Sequence, residues 1–309
     1  MNKSKRKSQA RPLPKIVVIL GPNASGKSEL AVKLAKKFNG EIISADSRQV
    51  YRGLNIGAGK VSGKQVKNLY LYKGVIHHLI DVVSPLKVFT VERYKLLAKK
   101  ALKSILRKKK IPMIVGGTGL YIDALIYDIN FPKVPPNLGL RKKLEVKPTS
   151  ELFNKLKRID PDRAAHIDPY NRRRLIRAIE IVEMTGKPVP KLKKESPYRV
   201  LKIGVRLLPT EHKRKIEERL KKRMKEGMVE EVKRLKKHLS WQRLDDLGLE
   251  YRYVARHLQG ELSQHEVEKV LQKEIWHYAK RQLTWFRRDK SIHWITNQKE
   301  AEELVSRFL

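Results

Sequence analysis

The chain of 309 residues contains no cysteine. This absence excludes disulfide bonds, zinc sites with cysteine ligands, iron–sulfur clusters and a cysteine nucleophile. No apolar run approaches the roughly 18 residues of a membrane-spanning helix. The basic, polar start of the chain also lacks the apolar segment of a signal peptide. We therefore expect a cytoplasmic protein with no membrane association.

Acidic residues are scarce relative to basic ones. The chain has 32 Asp and Glu against 70 Lys and Arg, which gives a net charge of +38. Repulsion among so many like charges opposes a compact fold, so a polyanionic partner is the simplest explanation. A basic surface that only confers solubility is the alternative. Hydrophobic residues make up 40% of the chain, enough to build a core.

Short apolar runs alternate with helical patterns along the chain. Helical spacing of apolar residues covers 29–38 and, most clearly, 94–105,. After residue 208 we expect only helices, ending in a long one near His265–Arg288. Strands separated by helices of this length predict an α/β fold, with a parallel sheet covered on both faces. The predicted strands are 16–20, 41–44, 78–83 (weaker), 111–115 and 201–207.

Two proline-containing segments divide the chain. Between FPKVPP (131–136) and TGKPVP (185–190) the periodicity is helical only,. This pattern predicts a small helical domain inserted into the α/β core. The expected division is a basic N-terminal arm (1–12), the first part of the core (13–130), the helical insertion (131–195) and the second part of the core with C-terminal helices (196–309).

The strongest local motif is a phosphate-binding loop between the first strand and its helix. It matches G-x-x-x-x-G-K-[ST], in which glycines let backbone N–H groups turn towards phosphate oxygens at a helix N-terminus. Lys27 adds a positive charge, and the Ser28 hydroxyl can ligate Mg²⁺. The motif alone does not identify the phosphorylated ligand. Its residues are Gly21, Pro22, Asn23, Ala24, Ser25, Gly26, Lys27 and Ser28.

Further motifs follow other strands. Asp46 lies after the second strand, at the sheet edge that also carries the phosphate-binding loop,. Its carboxylate can act as a general base, order Mg²⁺ through water, or simply cap a turn. The glycine-rich turn 116–121 follows the strand 111–115, on the same edge. The segment GLNIGAGK (53–60) has two open interpretations, a second nucleotide loop or a turn-rich connection.

These motifs resemble the tRNA dimethylallyltransferase family, also called tRNA isopentenyltransferase, in its bacterial type. They occur in the family's order over nearly the whole chain. Three of them together, GPNASGKS (21–28), ISADSRQVY (43–51) and VGGTGLY (115–121), are specific to this family and its cytokinin-forming relatives. The zinc finger of eukaryotic members cannot form without cysteine. The matching segments are GPNASGKS (21–28), ISADSRQVY (43–51), IGAGK (56–60), HHLIDV (77–82), VGGTGLY (115–121), NRRRLIRAIE (171–180), RKIEERLKKRMKEGMVEEV (214–232) and YAKRQLTWFRRD (278–289).

The resemblance implies a P-loop NTPase-like core and a prenyl transfer reaction. Family members move the dimethylallyl group of dimethylallyl diphosphate to N6 of the adenosine immediately 3′ of the anticodon in tRNA, and diphosphate is released. Their P-loop holds that diphosphate with Mg²⁺. The implied partners are therefore tRNA and dimethylallyl diphosphate, with no obligate protein partner, and fold-level analogy suggests a monomer.

The resemblance also implies roles for individual residues. Asp46 is the expected base for the N6 amine, Arg219 stabilises the leaving diphosphate, and Thr118 lines the channel where base and diphosphate meet. By itself, Arg219 would be one cation on a solvated helix face. The spacing of Arg173 and Arg177 places both on one helix face, which suits phosphate contacts. The residues expected to contact tRNA are Asp46, Ser47, Arg48, Gln49, Arg173, Arg174, Leu175, Ile176 and Arg177.

Aromatic residues alternate with cations near the end of the chain. Tyr278, Trp285 and Phe286 could stack on bases, but their helical spacing is more typical of a core, which we expect,.

Two other functions compete with the main one. An adenylate dimethylallyltransferase acting on free AMP, ADP or ATP would share the P-loop, Asp46 and Arg219, but would not need the net charge of +38 or an arginine-rich insertion. An RNA-binding P-loop ATPase or kinase would leave the motifs at 44–51 and 116–121 unexplained. The charge and the insertion therefore argue against the first alternative, and the two motifs argue against the second, so the enzyme that modifies tRNA is favoured.

Overall fold

The computed structural model describes residues 12–67, 69–191 and 195–309. They divide into two compact units, one formed by 12–128 with 195–309 and the other by 129–191. The predicted N-terminal arm, 1–12, lies outside the described residues except for its last member. Among the described helices, none combines the length and the hydrophobicity that crossing a membrane would need.

An eight-stranded sheet runs through the described part of the larger unit. Its strands are β1 (Lys15–Leu20), β2 (Gly40–Ser44), β3 (Lys64–Val66), β4 (Leu69–Tyr72), β5 (Val75–His78), β6 (Ile111–Gly116), β7 (Arg199–Val205) and β8 (Ile292–Ile295). The spatial order is β3-β4-β5-β2-β6-β1-β7-β8. The six neighbouring strands β5, β2, β6, β1, β7 and β8 are parallel, whereas β4 pairs antiparallel with both β3 and β5. The predicted α/β class with a largely parallel sheet is confirmed.

Helices cover both faces of this sheet. The described helices are α1 (Lys27–Lys37), α2 (Val91–Arg107), α3 (Gly119–Ile126), α4 (Leu138–Glu145), α5 (Thr149–Ile159), α6 (Pro161–His166), α7 (Arg172–Thr185), α8 (Pro209–Lys225), α9 (Met228–Lys236), α10 (Trp241–Asp246), α11 (Leu249–Leu258), α12 (Gln264–Phe286) and α13 (Gln298–Phe308). Alternate residues of β1 face opposite cores, as the period of two in a strand requires. Ile16 and Val18 pack towards α2, α3 and α8–α12, whereas Val17 and Ile19 pack towards α1 and α13.

The predicted strand at 78–83 is wrong in its position. The strand is β5, which ends at His78, because Leu79 and Asp81 adopt the left-handed backbone conformation (φ 64° and 56°) and break the extended chain,. The apolar side chains of Leu79, Ile80 and Val83 are nevertheless buried. The periodicity thus identified buried residues but not their backbone shape.

The expectation that only helices follow residue 208 is also wrong. β8 pairs with β7 in parallel register, with Ile292 opposite Lys202 and Ile295 opposite Val205. A strand of four residues is too short for a pattern of its own, and its pairing with a strand about 90 residues earlier creates it. The hairpin of β3 and β4 was likewise not predicted.

The smaller unit contains α4–α7 and has its own core. Leu144, Leu152, Leu156 and Ile179 are each no more than 1% exposed. Glu180 is fully buried there, and its carboxylate accepts hydrogen bonds from Arg141, Arg177 and the Asn137 backbone. Burial by itself would raise the pKa of Glu180, but the hydrogen bonds outweigh it and lower the pKa to about 2.

Candidate active site

Three of the sequence motifs meet at the carboxyl edge of the parallel sheet. β6 lies between β1 and β2, with Gly116 opposite Leu20 and Val115 opposite Ser44. The loops that follow these strands are joined directly, since the Thr118 N–H donates to the Ala45 carbonyl (3.2 Å). The Thr118 hydroxyl also accepts from the Ser47 N–H (3.3 Å). This edge is where open α/β sheets bind ligands.

The P-loop has a backbone shape that only certain residues tolerate. Gly26 has φ 85°, and α1 begins at the next residue, Lys27,. The Lys27 ammonium donates to the Pro22 carbonyl (3.0 Å). Burial is the main cause that lowers the pKa of Lys27 to about 8; nearby Asp46 raises it and Arg219 lowers it further. A bound phosphate would reverse this shift by stabilising the ammonium.

Two adjoining cavities open on the P-loop. The larger, about 790 Å³, is lined by the P-loop, by residues 55–56 and 59–63 and by one face of α8. The smaller, about 360 Å³, is lined by Asp46–Gln49, by the end of β6 and by parts of α11 and α12. They share Lys27, Ser28, Arg219 and Arg223. One ligand in each cavity would therefore meet the other at a cationic wall.

Asp46 has a structural role and faces the smaller cavity as well. Its Oδ1 accepts hydrogen bonds from the backbone N–H groups of Arg48 (2.8 Å) and Gln49 (3.3 Å). This is the turn-capping role that the sequence left open. Within the described part of the chain, Oδ2 receives no hydrogen bond. Asp46, Ser47, Arg48 and Gln49 all line the smaller cavity, whereas Thr118 lines neither of the two.

Arg219 lies beside a second arginine on α8. Its guanidinium donates to the Gly59 carbonyl (3.0 Å), and burial, followed by the charge of Arg223, lowers its pKa to about 10. Arg223 donates to the Gly57 carbonyl (3.3 Å) and to Glu250 Oε1 (2.9 Å). Sequence analysis missed Arg223, although its spacing of four residues from Arg219 places both on one helix face.

The segment 53–60 is a turn-rich connection rather than a second nucleotide loop. It contains no strand-to-helix turn. The Lys60 ammonium, which a nucleotide loop would direct at phosphate, donates instead to Asp81 Oδ1 (2.5 Å), Asn55 Oδ1 (2.9 Å) and the Tyr51 carbonyl (3.1 Å). The segment still contributes to the site, because Asn55, Ile56, Gly59 and Lys60 line the larger cavity and Gly57 and Ala58 line the smaller one.

The C-terminal aromatic residues have different environments. Phe286 is 3% exposed and belongs to the core, and Trp285 packs against that core. Tyr278 lines the smaller cavity, where burial and the Asp46 carboxylate raise its pKa to about 12. Its phenol therefore stays protonated near neutral pH. Gly248, Leu249, Glu250 and Arg252, which sequence analysis did not assign, line the same cavity.

The segment expected to contact tRNA presents only part of its surface. Leu175 and Ile176 are 0% and 6% exposed, so their side chains belong to the core of the smaller unit. Arg177 is held by Glu180 and by the Val134 carbonyl. Arg173 and Arg174 are exposed. Of the five residues, these two are the most exposed.

The fold and this edge of the sheet define the molecule as a P-loop α/β protein with an inserted helical unit. The sequence profile described as IPP transferase matches residues 49–289. This match covers more than half of the chain, which therefore belongs to the IPP transferase family.

Individual relatives agree with this family. The chain is 39% identical over 289 residues to the tRNA dimethylallyltransferase of Halothermothrix orenii, covering 90% of this chain and 86% of that protein. Two solved structures are also similar, tRNA isopentenylpyrophosphate transferase from Bacillus halodurans (34% identity, TM-score 0.71, 95% and 96% coverage) and the corresponding transferase from Staphylococcus epidermidis (32%, 0.67, 95% and 98%).

Proposed function

We propose that this chain transfers the dimethylallyl group of dimethylallyl diphosphate to N6 of the adenosine immediately 3′ of the anticodon in tRNA, with release of diphosphate. The observation that carries this function is the pair of cavities that meet at Lys27, Ser28 and Arg219, with Asp46 in the wall of the smaller. The names of the relatives, tRNA dimethylallyltransferase and tRNA isopentenylpyrophosphate transferase, support it.

The reaction is a displacement at the first carbon of the dimethylallyl group. The lone pair of adenine N6 forms the new C–N bond, while the C–O bond to the diphosphate breaks and its electrons leave with the diphosphate oxygen. Nitrogen then carries an extra proton, which Asp46 accepts. The carboxylate suits this role because the turn fixes Oδ1 and leaves Oδ2 available.

The cationic wall stabilises the leaving group. The P-loop N–H groups and Lys27 hold the diphosphate, and Arg219 contacts it as negative charge develops. Arg223 adds a second guanidinium on the same face of α8 and lines both cavities. Thr118, which accepts a hydrogen bond from Ser47, positions the loop that carries Asp46.

The residues of this site fit a Mg²⁺ ion that would accompany the diphosphate. Ser28 and Asp46 both line the smaller cavity and supply the oxygen ligands that Mg²⁺ prefers,. We assign Ser28 as its protein ligand. When bound, the ion would neutralise part of the diphosphate charge.

Recognition of tRNA belongs to the turn around Asp46 and to the helical insertion, residues 131–195 by the sequence-based division. The target base must leave its stack to reach a recessed acceptor site. We assign the smaller cavity, which Asp46–Gln49 line, as the site that receives this base. Arg173 and Arg174 provide exposed guanidinium groups for the RNA backbone,. A tRNA substrate also agrees with a cytoplasmic location.

The decisive experiment supplies labelled dimethylallyl diphosphate and Mg²⁺ to the purified protein, with unmodified tRNA or AMP as acceptor. We expect label in tRNA, and at the single adenosine 3′ of the anticodon after nuclease digestion. A tRNA with guanosine at that position is the matched control and should remain unlabelled.

The same experiment separates the alternatives. Label in AMP but not in tRNA would identify an adenylate dimethylallyltransferase. Label in neither acceptor, together with phosphate release from ATP, would identify an RNA-binding ATPase or kinase.

A further inference from the structure

Both peptide groups of Asn23, in the middle of the P-loop, are held by side chains from distant helices. The Asn23 N–H donates to Gln282 Oε1 (2.9 Å), across 259 residues of chain. Its carbonyl oxygen lies 2.7 Å from His212 Nε2. Because a carbonyl only accepts hydrogen bonds, the imidazole donates through Nε2–H. We call these two contacts the Asn23 clamp.

The Gln282 amide also reaches the neighbouring loop. Its Nε2 donates to the Gly117 carbonyl (2.9 Å), so one side chain joins the loop after β1 to the loop after β6. Gln282 is 7% exposed, which makes an unpaired amide there costly,. A Cβ at Gly117 would collide with this amide, so the glycine is needed for the approach.

His212 is equally well enclosed. It is 2% exposed, and the Trp276 ring packs on it edge to face, with ring centroids 5.5 Å apart. Burial lowers the pKa of His212, so the imidazole is neutral at physiological pH. A neutral ring with its proton on Nε2 serves as a fixed donor to the P-loop.

The two clamp residues share their helices with residues that face the cavities. Arg219 follows His212 by seven residues on α8, and Tyr278 precedes Gln282 by four on α12. These spacings place each pair on one side of its helix. The clamp therefore sets the position of Arg219 and Tyr278 relative to the P-loop.

We propose that His212 and Gln282 are positioning residues, which fix the P-loop in its diphosphate-binding shape and hold α8 and α12 in register with it. They orient the peptides on both sides of Asn23, so the following N–H groups point towards one anion. This inference deepens the proposed function and rests on it, since it concerns the same diphosphate site.

The test measures binding of dimethylallyl diphosphate without tRNA, by calorimetry, in matched variants. Gln282→Met keeps the length of the side chain and removes both hydrogen bonds. Gln272→Met is the control, because Gln272 also lies on α12 and bonds to Glu217 of α8, away from the P-loop. We expect the dissociation constant to rise about tenfold in Gln282→Met and to change less than about twofold in the control.

A second pair of variants keeps the inference testable if Gln282→Met does not fold. His212→Phe retains the ring packed on Trp276 but loses the donor, whereas His212→Gln retains a donor. We expect weakened binding in the first and recovery in the second. The KM for dimethylallyl diphosphate should rise in parallel, while the KM for tRNA stays close to the control. Because Gln282→Met and His212→Phe each leave at least one backbone group unpaired in a buried position, the thermal unfolding midpoint should fall by a few degrees.

Diphosphate binding in Gln282→Met and His212→Phe that equals the control would overturn the positioning role. A loss in tRNA binding that matches the loss in diphosphate binding would also overturn it, because it indicates general disruption. Failure of the wild-type protein to bind dimethylallyl diphosphate would instead contradict the proposed function itself.

Discussion

Asp46 combines a structural task with the proposed chemical one at the scale of a single residue. One carboxylate oxygen accepts two backbone hydrogen bonds and so fixes the side chain in the wall of the smaller cavity. A base held in this way needs no reorientation when the amine arrives. The two roles can be separated because the turn needs only an acceptor, whereas proton transfer needs a carboxylate.

Replacement of Asp46 by Asn tests this separation. The amide oxygen can still accept the two N–H groups, so the fold and the KM for tRNA should change little. The rate of transfer in a single turnover should fall by about 10²–10⁴, the usual contribution of a general base. Asp46→Ala, which also removes the acceptor, should in addition raise the KM for tRNA. A single-turnover rate in Asp46→Asn within about threefold of wild type would exclude Asp46 as the base.

Lys27 predicts a pH dependence for diphosphate binding. Its pKa of about 8 in the free protein means that its positive charge is present below this pH and lost above it. Binding of the diphosphate favours the charged form, so affinity should fall by up to about tenfold per pH unit above about 8. Calorimetry of dimethylallyl diphosphate binding between pH 7 and 10 measures this. Lys27→Arg stays charged, and its affinity should not show the same fall; identical profiles would refute the assignment.

At the scale of elements, one buried carboxylate shapes the connection that lines both cavities. Glu231 of α9 is 2% exposed and accepts hydrogen bonds from the N–H groups of Asn55, Ile56 and Gly57 and from the Tyr251 hydroxyl, at 2.8–3.0 Å. The same connection presents the carbonyls to which Arg219 and Arg223 donate. Glu231 therefore acts on the arginine pair through the backbone.

The change Glu231→Gln should weaken this element. One carboxylate oxygen becomes an NH₂ group that faces N–H donors, so at least one buried donor loses its acceptor, at a cost of about 1–3 kcal/mol. Urea denaturation should show this loss, and the KM for dimethylallyl diphosphate should rise. Glu230→Gln, an exposed neighbour on α9, is the control. Equal stability of the two variants would show that the carboxylate is not required.

At the scale of the whole molecule, the charge of +38 matches a polyanionic substrate far larger than the two cavities. Binding of such a substrate is dominated by contacts to phosphates and weakens steeply as the salt concentration rises. The smaller unit contributes exposed arginines, while two partly exposed ones, Arg141 and Arg177, donate hydrogen bonds to the buried Glu180 carboxylate.

The double change of Arg173 and Arg174 to Ala tests this contribution. We expect tRNA affinity to fall about tenfold and the slope of log affinity against log salt to become shallower by about 1–2. The KM for dimethylallyl diphosphate should not change. Lys142 and Lys143, exposed on α4 of the same unit, give a control with the same loss of charge when both become Ala. Equal effects of the two double variants would show that Arg173 and Arg174 contribute only to the general positive charge of the unit.

The sequence by itself determined the fold class, the P-loop and the motifs at the strand ends. These features follow from local physics, since continuous apolar runs make buried strands and a glycine-lysine loop at a helix start binds phosphate. Where the local pattern and the backbone disagreed, in the segment 79–83, the apolar run marked side chains that are buried (Leu79, Ile80 and Val83), but the predicted strand does not form.

Only the tertiary structure decided which side chains meet. No local pattern assigned a site role to five residues that the fold brings to the P-loop or to the cavity walls from helices remote in sequence, although four of them lie in segments that match the family: Arg223, Glu231, Tyr278, Gln282 and, outside those segments, His212. The tertiary structure also determined that Arg173 is exposed and Leu175 is buried, although both lie in one short segment. The physical reason is that hydrogen bonds and burial between distant segments depend on packing, which residue spacing along the chain does not encode.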